Sequence, residues 1–214
     1  MRKSIVILAS GRGTNFKAIY DAIKEGKLPL QIEAVVSNIL NAPVCGLARE
    51  LGVPVIEVPH IGLTKQEHEE KLLKALHFFR FEWLVLAGYM RLLSEDFIKK
   101  FWDEKRNISC ILNIHPSLLP AFPGKKAYKQ ALQYGVKVTG ATVHFVGFGV
   151  DDGPIVMQRA LPVKDEETYE SLLDRGLKQE HALYPDALSA LCLRHWEVRF
   201  GKEPGGRSRI VFGD

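Results

Sequence analysis

Ser4–Ala9 reads SIVILA, an unbroken apolar run rich in β-branched residues. Polar residues do not alternate with apolar ones in it. Both faces of this strand are therefore buried, and such a strand needs a covering layer on each side. Gly11-Arg12-Gly13-Thr14-Asn15 breaks the run. Phe16, Ala18, Ile19, Ala22 and Ile23 then recur at helical spacing until Gly26 and Pro29 end the helix. Buried strand, tight turn and amphipathic helix begin a β–α–β unit, and the chain repeats the pattern. Strands are expected at Ile32–Val36, Val55–Val58, Trp83–Ala87 and Ile111–Ile114. Helices are expected at Ala42–Leu51, Lys65–Phe79 and Glu95–Phe101.

That alternation implies a parallel sheet with right-handed crossovers. Pro116–Gly124 holds three prolines and reads as an extended loop. The spacing then predicts a helix over Ala127–Tyr134 and strands at Val138–Val146 and Ile155–Pro162. No helix separates those two strands, so they form an antiparallel addition at one edge. Thr168–Leu191 is a long helical pattern, with a break or kink expected at Pro185. The 214 residues suffice for one sizeable core. The expected fold is α/β, a single domain over 1–200 with an open, mostly parallel twisted sheet, helices on both faces and a Rossmann-type N-terminal half. Residues 1–100 would hold an anion site and 101–200 the chemistry. Residues 201–214, with a Gly-Gly pair and charges, read as a loosely ordered tail.

Composition narrows the function classes. No apolar run approaches the roughly 18 residues of a membrane span. The apolar run at Ile5–Ala9 is too short for a signal peptide, so a cytoplasmic location and no membrane partner are expected. Cys45, Cys110 and Cys192 are far apart, and no Cys-x-x-Cys pair occurs, which fits reduced thiols. His60, His68 and His77 lack partners at metal-ligand spacing, so no metal is expected. The formal net charge of +4 is spread along the chain, which fits anionic small molecules and not nucleic acid.

The glycine-rich turn can hold an anion. Its glycines let the backbone approach closely, and the following helix offers unpaired N–H groups and its positive dipole end. Thr14 and Asn15 add side-chain donors. The Gly-Lys-Ser/Thr of a P-loop is missing. The turn also departs from a dinucleotide fingerprint: Phe16 takes the third glycine position, and the second strand ends in Ser37-Asn38 where an acidic residue would stand. A tight β–α turn with no ligand is the plain alternative.

Asn113 and His115 flank Ile114 at a strand end. Residues i and i+2 project to the same side, so two hydrogen-bonding side chains face one way at the carboxyl edge of the sheet, where open α/β sheets bind ligands. Histidine exchanges a proton near neutral pH, and asparagine can donate to a developing oxyanion. A histidine after a strand can equally be a structural hydrogen-bonder. The turn Val150-Asp151-Asp152-Gly153-Pro154 offers carboxylates that could pair with the imidazole, though Asp, Gly and Pro are also ordinary turn residues. Thr142 and His144 share one strand face, either as packed core or as support for the site.

At this point six stretches resemble phosphoribosylglycinamide formyltransferases, in family order over residues 1 to about 190. They are Val6–Ile19 (VILASGRGTNFKAI), Leu84–Leu93 (LVLAGYMRLL), Leu112–Gly124 (LNIHPSLLPAFPG), Gly135–Val146 (GVKVTGATVHFV), Val150–Val156 (VDDGPIV) and Gln179–Pro185 (QEHALYP). The Asn-Ile-His-Pro-Ser-Leu-Leu-Pro block marks folate formyl-transfer domains. The Gly-x-Gly-Thr-Asn turn and Pro-Ala-Phe-Pro-Gly favour the glycinamide branch. The resemblance implies a formyltransferase-like fold. It also implies transfer of the formyl group of 10-formyltetrahydrofolate, a co-substrate, to the amine of N1-(5-phospho-D-ribosyl)glycinamide in purine biosynthesis, a part of one-carbon metabolism.

By the same resemblance Gly13, Thr14 and Asn15 hold the substrate phosphate, and Gln179 and Glu180 contact the ribosylglycinamide. Lys65, Met90, Arg91, Leu92 and Leu93, with Gly147, Phe148, Gly149 and Val150, line the folate pocket. Asn113, His115 and Asp151 are catalytic: Asn113 and His115 stabilise an oxyanion, Asp151 keeps His115 charged, and His115 passes a proton toward the leaving nitrogen. There are departures. Gly147-Phe148-Gly149 replaces acidic residues, Asp152 replaces a small or hydroxyl residue, and Trp102–Cys110 is longer than the family's link. Asp151 is chosen over Asp152 because it follows a hydrophobic residue, as the family's catalytic Asp does. Small-molecule partners and a monomer or homodimer are expected. A 10-formyltetrahydrofolate hydrolase would share the three catalytic residues but carry an added N-terminal domain. A formyltransferase acting on tRNA would need a further C-terminal one. A non-catalytic nucleotide-binding module would have no use for the three.

Overall fold

The computed structural model describes residues 3–201 and 207–213. In chain order the elements are β1 (Lys3–Ala9), α1 (Thr14–Lys24), β2 (Leu30–Ser37), α2 (Pro43–Glu50), β3 (Val55–Glu57), α3 (Lys65–Leu76), β4 (Trp83–Leu86) and α4 (Glu95–Lys99). There follow β5 (Trp102–Asp103), β6 (Ile108–Ser109), β7 (Ile111–His115), α5 (Ala127–Tyr134), β8 (Val138–Phe145), β9 (Ile155–Pro162), α6 (Tyr169–Leu193), β10 (Trp196–Arg199) and β11 (Arg209–Phe212). Seven strands form one sheet in the order β3-β2-β1-β4-β7-β8-β9. By contacts the chain gathers into two compact units, Met1–Trp102 with Ser109–Leu112, and Asp103–Ile108 with Asn113–Asp214.

The first unit is the βαβ half. β1 pairs in parallel with β2, from Lys3↔Leu30 to Ala9↔Ser37, and with β4, from Ile5↔Trp83 to Leu8↔Leu86. Ile5 to Ala9 are fully buried, which is why their run shows no alternation. α1 buries Phe16, Ile19 and Ala22. α3 starts at a reciprocal cap, in which Thr64 accepts from Glu67 N–H and the Glu67 side chain accepts from Thr64 N–H.

The second unit carries the antiparallel addition. β8 and β9 pair from Val138↔Pro162 to His144↔Ile155, with a register shift between Val143 and His144. α6 runs unbroken through Pro185, so the break expected there is absent. Leu183, Tyr184, Ala187 and Leu188 flank that proline and are fully buried. Their burial outweighs the roughly 3 kcal/mol that an interior proline costs. The loose tail expected over 201–214 also needs correcting. Arg209–Phe212 forms β11, paired antiparallel with β10 from Trp196↔Phe212 to Arg199↔Arg209. Arg194 stacks on the Phe212 ring, and Trp196 packs on Phe145 at 5.7 Å. Apolar partners supplied by the unit order this segment. The tail's remaining positions, 202–206 and 214, lie outside the described residues.

Candidate active site

β1 delivers its following turn to the start of α1. Gly13 caps α1 in the left-handed conformation, with φ 76°. A Cβ there would lie 2.5 Å from Val44 Cγ2, so the position demands glycine twice over. Val44 N–H donates to Gly11 O at 3.0 Å, which ties the turn to α2. The first turn of α1 has no acidic residue and no side-chain cap. Its leading N–H groups and dipole therefore suit an anion. Thr14 is half-buried and Asn15 buried.

Asn38, which stands where dinucleotide binders keep an acid, is turned inward and buried. Ser10 Oγ donates to Asn38 Oδ1 at 2.6 Å and accepts Met90 N–H at 2.8 Å. Glu69 holds the far end of the same segment, accepting from Ser94 N–H at 2.8 Å and from the Ser94 hydroxyl. Between these two anchors Met90 and Leu92 stand 74% and 65% exposed, an apolar lip fixed at both ends. Arg91 and Leu93 are half-buried beside them, and Lys65 is exposed in the first turn of α3.

In the second unit β7 ends in Asn113 and His115. His115 is buried; its Nδ1 lies 3.2 Å from Asp151 Oδ2, and its Nε2 donates to Phe122 O at 2.8 Å. Both ring nitrogens face acceptors, and the ring satisfies both only when each carries a proton. Asp151 Oδ2 also accepts Gly124 N–H at 2.8 Å. Phe122 and Asp151 both have left-handed backbones, φ 53° and 51°. Such geometry in non-glycine residues persists only where the surroundings hold it, and it clusters at functional sites.

His144 is buried on β8. Its Nδ1 donates to Phe145 O at 2.9 Å, and its Nε2 lies 3.3 Å from Asn113 Nδ2. Burial, the largest influence, holds its pKa below the usual histidine value, against the opposing pull of the Phe145 carbonyl and Asp151. A neutral His144 accepts at Nε2 and so turns the Asn113 amide nitrogen toward itself. Of its two sequence readings, support for the site is the one the contacts favour. Thr142 acts on the adjoining loop. Its hydroxyl donates to Ser117 O at 2.7 Å and accepts from Leu119 N–H at 3.1 Å and Gln158 Nε2 at 2.9 Å.

Asp152 has a different place from Asp151. It is tied into its own turn, where Oδ2 accepts Gly149 N–H at 3.0 Å. A Cβ on Gly147 or Gly149 would collide with its carboxylate. The two glycines and Asp152 are thus mutually fitted. Phe148 and Val150 stand half-exposed on the same turn. On α6, Glu180 is buried and accepts from the Tyr128 hydroxyl at 3.2 Å, and Gln179 is half-buried.

Three contributors escaped sequence reasoning. Phe122 acts through its carbonyl, Gln158 through a cross-strand pairing with Thr142, and Tyr128 through a helix–helix contact. The first leaves no side-chain signal, and the others need the register or the packing. Among the described residues no group of three or more His, Cys, Asp or Glu is arranged for a metal, and no helix is long and apolar enough to cross a membrane.

The sheet thus ends β7 in Asn113 and His115, with the Asp151 carboxylate beside the imidazole. A family model described as formyl transferase matches residues 3–188, and the chain belongs to this family. Within it the chain is 36% identical to the phosphoribosylglycinamide formyltransferase of Bacillus subtilis (strain 168), over 88% of this chain and 94% of that protein. Glycinamide ribonucleotide transformylase 1 from Symbiobacterium toebii superimposes with a TM-score of 0.86 at 38% identity, covering 99% of this chain and 94% of that one. The human trifunctional purine biosynthetic protein adenosine-3 is 41% identical over 86% of this chain, which spans 18% of that longer protein.

Proposed function

We propose that the protein transfers the formyl group of 10-formyltetrahydrofolate to the amine of N1-(5-phospho-D-ribosyl)glycinamide, a cytoplasmic step of purine biosynthesis. The observation that carries this reading is the linked set Asn113, His144, Asp151 and His115 at the end of β7. The co-substrate supplies the formyl group. The amine bonds to the formyl carbon, the bond to the folate nitrogen breaks, and one proton passes from the amine to that nitrogen.

Asn113 and His115 donate to the formyl oxygen as negative charge grows on it. Asp151 balances the imidazolium and fixes its ring plane. His115 has hydrogen bonds at both nitrogens, so to give a proton outward it exchanges one of them. Gly13, Thr14 and Asn15 take the substrate phosphate, and Gln179 and Glu180 its ribosylglycinamide. Met90 to Leu93, Gly147 to Val150 and Lys65 serve the folate. The matched relatives' names and the anion-ready start of α1 support this substrate pair.

The test is turnover with and without glycinamide ribonucleotide. Formylglycinamide ribonucleotide is the expected product, with formate release negligible when the acceptor is omitted. Steady formate release without acceptor would instead make the protein a 10-formyltetrahydrofolate hydrolase. Turnover is expected to survive a chelator, since no role falls to a metal.

A further inference from the structure

Ser117 lies two residues beyond His115 in the same Asn-Ile-His-Pro-Ser block and is fully buried. A buried hydroxyl needs a partner, and this one finds it in its own loop: Ser117 Oγ donates to Ala121 O, four residues on. Ala121 N–H in turn donates to Leu118 O at 3.0 Å. The next carbonyl along is Phe122 O, which accepts from His115 Nε2 at 2.8 Å. The loop therefore leaves the catalytic strand just after His115 and returns to the same ring. Phe122 offers its carbonyl from a left-handed backbone, φ 53°, which persists only where neighbouring structure holds it.

β8 and β9 hold the loop in place. Thr142 Oγ1 receives two N–H donors, Leu119 N and Gln158 Nε2, so its own proton goes to Ser117 O. Gln158 Nε2 also donates to Leu119 O at 2.9 Å. Gln158 faces Thr142 across the β8–β9 register and stands exposed. Ser117 is thus held by its carbonyl and holds Ala121 by its hydroxyl.

We propose that Ser117 is a positioning residue for His115. Its hydroxyl closes the loop that carries the Phe122 carbonyl back to Nε2. A ring bonded only to Asp151 at Nδ1 could still rock about that bond. The second bond, at Nε2, fixes its plane and gives its Nε2 proton one acceptor. The part of His115 in formyl transfer rests on the function proposed above; its bond to Phe122 does not.

The experiment is NMR of the full chain carrying isotope-labelled histidine, for wild type, Ser117→Ala and Gln158→Met, with steady-state kinetics and melting temperatures alongside. The His115 Nε2–H signal is assigned by its loss in His115→Gln. In wild type this proton should exchange slowly with water and give a resolved signal. Ser117→Ala removes one hydroxyl and is expected to speed that exchange roughly tenfold, the worth of one hydrogen bond. Its kcat for formyl transfer should fall by a similar factor, with both KM values near wild type. Gln158→Met should move both readouts the same way by a smaller factor, and it alone decides if Ser117→Ala does not fold. Unchanged ring-proton exchange in Ser117→Ala overturns the inference. If its melting temperature falls at the same time, the serine is merely structural. A wild-type ring proton that exchanges as freely as that of an exposed histidine overturns it as well. A ring signal that responds as expected in a protein that transfers no formyl group sinks the functional reading alone. An active wild type with an unmoved ring signal in Ser117→Ala sinks only this inference.

Discussion

The turn at Gly11 to Asn15 and the cluster of Asn113, His115 and Asp151 both follow a buried strand, yet they use different parts of the chain. In the turn the atoms that suit an anion are backbone N–H groups at the start of α1, beside Thr14 and Asn15, and at Gly13 a side chain has no room. In the cluster the working atoms are side chains, each with a named partner: Asp151 on His115 Nδ1, Phe122 O on Nε2, and His144 on Asn113. Backbone recognition tolerates most substitutions but not added volume. A side-chain network tolerates neighbouring change but not the loss of one atom's charge or proton.

The sharpest way to break that contrast is to change single atoms in the cluster. Asp151→Asn is expected to lower kcat roughly a hundredfold to ten-thousandfold, the usual worth of acid–base assistance. Asp152→Asn should cost far less, because its carboxylate serves its own turn. Equal losses in rapid-quench or steady-state assays would mean the wrong carboxylate was chosen. Asn113→Ala should lower kcat about a hundredfold with little effect on either KM, as loss of an oxyanion donor does. A KM effect alone would make Asn113 a binding group.

Gly13→Ala attacks the turn by volume. It places a side chain against Val44 in a left-handed position and is expected to lower stability by about 1–3 kcal/mol. It should also weaken the phosphorylated substrate more than the folate. Denaturant unfolding and the two KM values check both. Replacing Asn15 should raise only the KM for the phosphorylated substrate, and an equal rise for the folate would remove it from the cradle.

The smallest expected effect is a pH dependence, and it compares two buried histidines. Burial depresses the folded-state pKa of His144 in the second unit and of His68 in the first. The folded protein then binds fewer protons than the unfolded chain. The stability from keeping these rings neutral is complete above the ordinary value of about 6.5 and is lost as pH falls below it toward the folded values. Replacing either histidine with Gln should flatten the fall in melting temperature between pH 7 and pH 5. Only the His144 change should also lower turnover at neutral pH, because only His144 orients Asn113.

Much of this was legible in the chain. The spans Ala127–Tyr134 and Ile155–Pro162 were readable to the residue, since clear periodicity ends there at Gly135 and at the turn Asp151 to Pro154. Spacing alone left Asp151 and Asp152 both open as the partner of His115; the family resemblance singled out Asp151, and the contact falls there. The break that Pro185 suggested is absent, because its local penalty is visible in sequence and the buried side chains that offset it are not. β11 was hidden because its apolar run, Ile210–Phe212, is only three residues long and lies in a charged, Gly-rich stretch, and the strand that pairs with it, β10, was not foreseen.

By itself the sequence determined the helices and the strands of the seven-stranded sheet, the need for glycine at the first turn, and the pairing of Asn113 with His115 on one side of a strand. These follow from local periodicity and backbone sterics, which act over a few residues. The tertiary structure alone decided that His115 has acceptors at both nitrogens, that Asp152 belongs to its own turn, and that Tyr128 reaches Glu180 past Gly176, where a side chain has no room. Each of these joins residues distant in sequence, or turns on a backbone carbonyl or a space. Spacing along the chain does not encode such contacts, because hydrogen-bond direction and free volume exist only once the elements are packed.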